Sequence, residues 1–322
     1  GATENGVDQK NASAVFEQVD RFAGYGFNKS HAAAYALVAY QTAFLKANYP
    51  VAFYAASMSL DYENTDKLQI FVQDALAHDI KVSAPDINRS DVMFETGEQE
   101  IIYALSAIKN VGRQSMIDLV AERSQNGPYK DIFDFAKRVG AVGINSKLLE
   151  NLISAGAFDC LETDRARLFD AVKMLLSEAT IAQNERKEGQ SNLFGEEEIS
   201  ESRTLREVAP WSPVERLTRE FDAIGFYLSG HPLDDYRTVL RRMNVLSFED
   251  LPSSVENNVL LAGTIAKMDE RKSKQGNPFA YLGLSDPTGQ FETIVFSEVL
   301  NKKREILSVG HAVIISAKVA RE

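Results

Sequence analysis

Residues 12–76 carry the apolar spacing of helices, interrupted by few breaks. The stretch "HAAAYALVAYQ" is alanine-rich, varied only by Tyr35, Leu37, Val38 and Tyr40. Alanine loses no side-chain freedom in a helix, so this run predicts one. Tyr49-Pro50 marks a break, because the residue before proline is pushed out of the helical region. A second apolar helix, "VAFYAASMSL", follows. In "ENTDKLQIFVQDALAHDI" the apolar residues recur near helical spacing behind a cap at Asn64 or Thr65. "KVSAPDINRSD" reads as an extended, turn-rich connector. "MFETGEQEIIYAL" reads as a small hairpin turning at Thr96-Gly97-Glu98.

From 104 to 176 the helical period returns in short pieces. "SAIKNVGRQSMIDLVAER" predicts a helix–turn–helix unit, and "INSKLLENLISAGAFDCL" is a weaker second copy. Each sets a short turn containing glycine between apolar stretches. A long helix is expected through "ARLFDAVKMLLSEATIAQNERK". "EGQSNLFGEEEISESRTLREVAP", residues 188–210, is polar and acidic and predicts a flexible linker. "PVERLTREFDAIG" and "LDDYRTVLRRM" return to helix around a turn with Gly230 and Pro232. From Val259 the period changes to that of strands. Three strands, a short helix "EVLNKKREIL" and a fourth strand "AVIISAKVA" are expected, an order that suits an OB-type barrel lacking its last strand.

These periods predict a multidomain chain, mostly α, followed by a small β barrel of OB type that is truncated. The expected boundaries are 1–80 and 81–187 for two helical domains, 188–210 for the linker, 211–255 for a helical connector and 256–322 for the incomplete barrel. The 322 residues suit two to four domains. No apolar run approaches the ~20 residues of a membrane span, so no membrane is expected as a partner. The chain opens with glycine rather than methionine, which predicts a fragment or a processed chain. Cys160 is the single cysteine, which excludes a disulfide framework and a cysteine zinc cluster and points to a reducing cytoplasm. His31, His78, His231 and His311 are scattered without ligand spacing, so no metal bound by this chain alone is expected.

The formal net charge is -11, which argues against a nucleic-acid surface spread over the whole chain. Part of the surplus sits in Glu196, Glu197, Glu198 and Glu201, so any such surface must be local. Three places qualify. Asn28, Lys29, Ser30 and His31 open the alanine-rich helix. A first helical turn exposes unpaired N–H groups and a partial positive charge, which favours an anion; equally, Asn28 or Ser30 simply caps the helix. Lys109, Asn110, Val111, Gly112 and Arg113 form the turn of the first helical hairpin. Asn is the non-glycine residue that best tolerates a left-handed turn, so Asn110 can turn the chain here. The second turn, around Ser154, Gly156 and Phe158, has no basic residue and suits packing. In the barrel, the loop "DERKSKQGNP" brings Arg271, Lys272 and Lys274 together. Phe279 and Tyr281 share one strand face, which suits base stacking or equally the barrel core; for these aromatics the core is expected.

"FAGYGFNKSHAAAYA" with "YQTAFLKANYP" resembles the fingers region of the alpha subunits of the bacterial replicative DNA polymerase III, the family C polymerases. "AIKNVGRQS" resembles a helix-hairpin-helix motif, whose turn amides hold a DNA phosphate, and Gln190, Ser191, Asn192, Leu193 and Phe194 resemble a bacterial sliding-clamp-binding peptide. The likeness extends along essentially the whole chain, including "GFYLSGHPLDDY".

The resemblance implies fingers in 1–80, tandem helix-hairpin-helix motifs in 81–187 and a single-strand-binding OB domain at the end. It implies template-directed nucleotidyl transfer from a dNTP to a primer 3′ end as the parent's reaction. The anion at Lys29 and His31 would then be the incoming nucleotide's triphosphate or a DNA phosphate. Gly156 would belong with the DNA-binding hairpins. Leu193 and Phe194 would fill a pocket on the clamp (the beta subunit), with Gln190 at its rim. The implied partners are primer-template DNA and its single-stranded template, the dNTP, the clamp and other holoenzyme subunits, whose attachment is expected beyond Glu322. The two Mg2+ ions of such an enzyme require palm carboxylates, and no Asp-x-Asp-type motif stands in this sequence, so no cofactor is expected on this chain and no catalytic residue within it. The chain is expected to be the C-terminal part of the subunit and to extend no primer alone. Two other readings use the same modules: a non-enzymatic DNA- and clamp-binding adaptor, and an RNA-binding OB protein.

Overall fold

A computed structural model describes residues 1–23, 29–188, 204–251 and 258–319. The chain divides into two compact units, Gly1–Phe53 and Tyr54–Glu322. In the first, α1 (Gln9–Ala23) and α2 (Lys29–Asn48) are followed by the start of α3 (Pro50–Leu60). Pro50 opens α3 at the break predicted for it, where its missing N–H costs nothing. Neither α1 nor α2 has a buried residue, and Val15, Phe16, Val19 and Phe22 form an exposed apolar stripe on α1.

The second unit begins where Tyr54, Ala55 and Met58 become buried along one face of α3. α4 (Thr65–Ala77) is capped by Asn64, whose side chain accepts from the Lys67 N–H. Three short strands follow, β1 (Lys81–Ser83), β2 (Glu95–Thr96) and β3 (Glu100–Ile102), in the order β1-β3-β2. β2 and β3 are the predicted hairpin. β1 corrects the expectation of a connector at "KVSAPDINRSD", for its first three residues pair parallel with β3, Val82 opposite Ile101. Three residues give too little alternation to read, and the pairing is long-range.

The helices α5 (Arg113–Asn126), α6 (Ile132–Arg138), α7 (Ser146–Ala155), α8 (Arg165–Asp170) and α9 (Val172–Glu188) make the hairpin region. Two expectations change here. The first arm of the first hairpin is a single 3-10 turn, Leu105–Ala107, fully buried, rather than an α-helix. The long helix predicted from Ala166 is two helices, divided at Ala171.

After the undescribed segment come α10 (Pro213–Ile224), capped by Ser212 and ended by Gly225 in a left-handed conformation, and α11 (Arg237–Arg242). An antiparallel sheet follows: β4 (Asn258–Lys272), β5 (Pro278–Asp286), β6 (Gly289–Val295) and β7 (Ala312–Lys318), in the order β6-β5-β4-β7, with α12 (Ser297–Lys303) between β6 and β7. Ala280, Leu282 and Leu284 of β5 join Ile265, Leu300 and Leu307 in its core. That parity corrects the expectation for Phe279 and Tyr281. They lie on the other face, half-buried, their ring centres 5.5 Å apart. Strand alternation allows only one of the two sets to face inward, and the three smaller residues fill that side.

His231 joins the connector to this sheet. It is buried, with Nε2 3.1 Å from Ser285 Oγ, while Nδ1 accepts from the Leu233 N–H. Burial lowers its pKa to about 4, against the opposing pull of Asp234 and Asp286. The unfolded chain takes up this proton near pH 6.5 and the folded chain only near 4, so stability is complete above 6.5 and falls as the pH drops between them. Urea titrations between pH 7 and 5 are expected to show a slope of up to about 1.4 kcal/mol per pH unit. His231→Gln should flatten it; the other three histidines are exposed. An equal slope in the variant would assign the pH dependence elsewhere.

Candidate nucleic-acid interface

The turn before α5 is built from Lys109 to Arg113. Asn110 takes φ +60, the left-handed conformation expected of it. Val111 is buried and pins the turn to the core. Gly112 has φ -70 and ends the turn as the N-cap of α5, with no side chain capping the helix. A Cβ at Gly112 would meet only Ser115 Oγ, at 3.8 Å, so its lack of a side chain is not forced by conformation or crowding. It leaves the backbone bare. Gly112, Arg113 and Gln114 are exposed. The first-turn amides of a 14-residue helix therefore face solvent beside an arginine, an arrangement that can receive a phosphate.

Lys109 plays a different part from Arg113. Its N–H donates to the Ala223 carbonyl at 2.8 Å, and its ammonium lies 5.9 Å from the centre of the Phe221 ring. It is half-buried against the end of α10. Of the two basic residues assigned to the turn, Arg113 is the one on the open side.

The second turn is closed. Gly156 is buried, with φ +87, and its N–H donates to the Ile153 carbonyl. Arg165 fills the space a side chain at Gly156 would need. Gly156 thus has no free donor for a phosphate, and the turn serves packing. The sequence lacks a basic residue in this turn; Arg165, nine residues on, supplies the charge from inside.

In the first unit, Lys29, Ser30 and His31 form the exposed first turn of α2, and the His31 ring lies 4.4 Å from that of Tyr35. Asn28 lies outside the described residues, as do Gln190, Ser191, Asn192, Leu193 and Phe194. At the sheet, Arg271 and Lys272 belong to the end of β4 rather than to a loop, and Lys274 sits in the turn that Gly276 makes with φ +85. Arg271 pairs with Asp269 at 2.7 Å, and its guanidinium stands 5.0 Å from the centre of the Tyr281 ring. Tyr281 faces Ile294 of β6 across the ladder, and Ile294 is exposed. The sheet face beside the basic end of β4 thus carries two half-buried rings with the exposed Ile294 beside them.

Among the described residues, no group of three or more His, Cys, Asp or Glu side chains is arranged to hold a metal ion, and no helix is long and apolar enough to cross a membrane.

A family model described as a helix-hairpin-helix motif matches residues 79–168. The chain is 44% identical over 321 residues to the DNA polymerase III subunit alpha of Caulobacter vibrioides, a match covering 99% of this chain and 28% of that protein. It is 38% identical over 324 residues to the protein of that name from Neisseria meningitidis serogroup B, covering 100% of this chain and 28% of the relative. The subunit from Thermus aquaticus is 39% identical over 301 residues, covering 92% of this chain and 24% of the relative. The chain spans between a quarter and a third of the first two relatives and just under a quarter of the third.

Proposed function

We propose that this chain, homologous along its whole length to one segment of the DNA polymerase III alpha subunits, is the part of such a subunit that holds DNA and the sliding clamp. The observation that carries the reading is the uncapped start of α5 at Gly112, inside the region matched by the helix-hairpin-helix model. Backbone amides there bind a phosphate without regard to base sequence, as a replicating enzyme requires. Arg113 adds the charge. The net charge of -11 is compatible with this, because the grip is local.

The other modules are read as follows. Lys29, Ser30 and His31 supply fingers contacts to the incoming dNTP or to DNA. Gln190–Phe194 dock on the clamp. Phe279 and Tyr281, with Arg271, Lys272 and Lys274, offer an OB-type surface where the single-stranded template stacks. On this reading the metal-assisted nucleotidyl transfer is the work of palm carboxylates in the parent subunit, in the cytoplasm. The fingers segment favours this reading over a stand-alone adaptor, which has no use for a nucleotide-facing helix.

The test is the salt dependence of duplex binding by the full chain. Each phosphate contact contributes about 0.9 to the slope of log affinity against log salt. Arg113→Ala is expected to weaken binding several-fold and to lower the slope by about that amount at any duplex sequence. An affinity and slope equal to those of the parent chain would refute the hairpin grip.

A further inference from the structure

α10 touches both hairpin turns. Near its C-terminus the Ala223 carbonyl takes the Lys109 N–H. Two residues on, Gly225 adopts φ +104, and a Cβ there would stand 2.7 Å from Thr65 Cγ2 and 3.0 Å from Lys109 Cε. A glycine is therefore demanded twice, by conformation and by the side chain of Thr65 at the start of α4, with the end of the Lys109 side chain next nearest. Upstream on the same helix, Glu220 lies 3.4 Å from Arg165 Nη1, the side chain that fills the second turn over Gly156. Arg216 reaches Asp159, the other partner of Arg165, at 3.4 Å. Positions 216, 220 and 223 follow the i, i+4, i+7 spacing of one helix face. That face spans from one turn to the other.

We infer that α10 is a splint of the DNA-gripping unit, and that Gly225 is a positioning residue for the phosphate-facing amides of the first turn. The inference rests on reading that turn as a DNA contact. α10 lies outside the matched motif, 79–168, and beyond the linker. A turn held by a carbonyl from a separate helix meets the phosphate already ordered. A turn released from it must be ordered at the moment of binding, which costs affinity.

The experiment compares the full chain with Gly225→Ala and Arg113→Ala in duplex binding over a salt series, with thermal melting and amide hydrogen exchange on the same samples. Gly225→Ala is expected to melt cooperatively and to bind about tenfold more weakly, roughly the cost of ordering one residue's backbone. Its salt slope should stay near the parental one, because the bound turn meets the same phosphate, and the Lys109 amide should exchange faster. A cooperatively melting Gly225→Ala chain with parental affinity overturns the splint. Should Gly225→Ala not fold, Phe221→Leu takes its place. It removes the ring beside the Lys109 ammonium without altering the backbone, and a loss of about threefold with faster exchange at Lys109 is expected; no loss overturns the inference. Loss in Arg113→Ala but not in the α10 variants sinks the splint alone. No loss in Arg113→Ala sinks the hairpin reading beneath it.

Discussion

Arg165→Ala is expected to cost the fold about 3–5 kcal/mol, the range for removing one partner of a buried ion pair. Arg165 is 3% exposed and Glu220 1%. The guanidinium donates from Nε and Nη2 to the two oxygens of Asp159, at 2.8 and 2.7 Å, and from Nη1 to the Ser154 carbonyl at 2.9 Å. Its longer limb reaches Glu220, which also accepts the N–H groups of Leu228 and Ser229. Alanine would leave a buried carboxylate and the Ser154 carbonyl short of a donor, and a void over Gly156. Urea denaturation measures the loss. The double variant Arg165→Met with Glu220→Gln separates the causes: it removes both charges while the Gln amide oxygen can still accept the Leu228 and Ser229 N–H groups, and is expected to recover part of the loss. If Arg165→Ala costs under about 1 kcal/mol, the pair behaves like a surface one and the description of this core is wrong.

This network was hidden from the sequence for a physical reason. Arg165 follows Asp164 at a helix start, where a solvated arginine is ordinary, and its partner Glu220 is 55 positions away. No local period marks such a pair. The same holds for Lys109 and Ala223, and for β1 against β3. What the sequence did carry was local. The period of 3.6 located the helices, and the break before Pro50 located the start of α3. The change to alternation at Val259 located the sheet. Asn110 was legible because few other side chains accept a positive φ.

The aromatic residues of β5 mark the boundary between the two kinds of information. Alternation put Phe279 and Tyr281 on one face and Ala280, Leu282 and Leu284 on the other, but did not say which face was inside. Aromatic bulk suggested the core. The sheet instead buries the aliphatic set against α12 and leaves the rings beside Arg271. The change bears on the proposed function, because aromatic rings beside basic side chains are a surface on which unpaired bases can stack.

Replacing both Leu193 and Phe194 with alanine is expected to reduce binding of the chain to the sliding clamp more than 100-fold, as the paired loss of two pocket-filling anchors at ~2 kcal/mol or more each. Two large apolar residues in an acidic linker have no sequence neighbours to bury them, so their contribution is sought in a partner's pocket. The flanks of the segment are anchored. Leu175 and Ala179 bury one side of α9, and on the other side Leu205 is buried, with its carbonyl accepting from Arg167 Nη2 at 2.9 Å. On the proposed reading, a clamp bound to a peptide between these flanks and a duplex held at the first hairpin turn would each raise the effective concentration of the other. Gln190→Ala, which removes one rim hydrogen bond, should cost only about fivefold. Duplex affinity measured without clamp should be the same in both variants and the parent chain. Surface-plasmon titration of immobilised clamp reads the first two effects. Equal clamp binding by the parent chain and the Leu193, Phe194 double variant would remove the clamp from the proposal while leaving the hairpin grip standing.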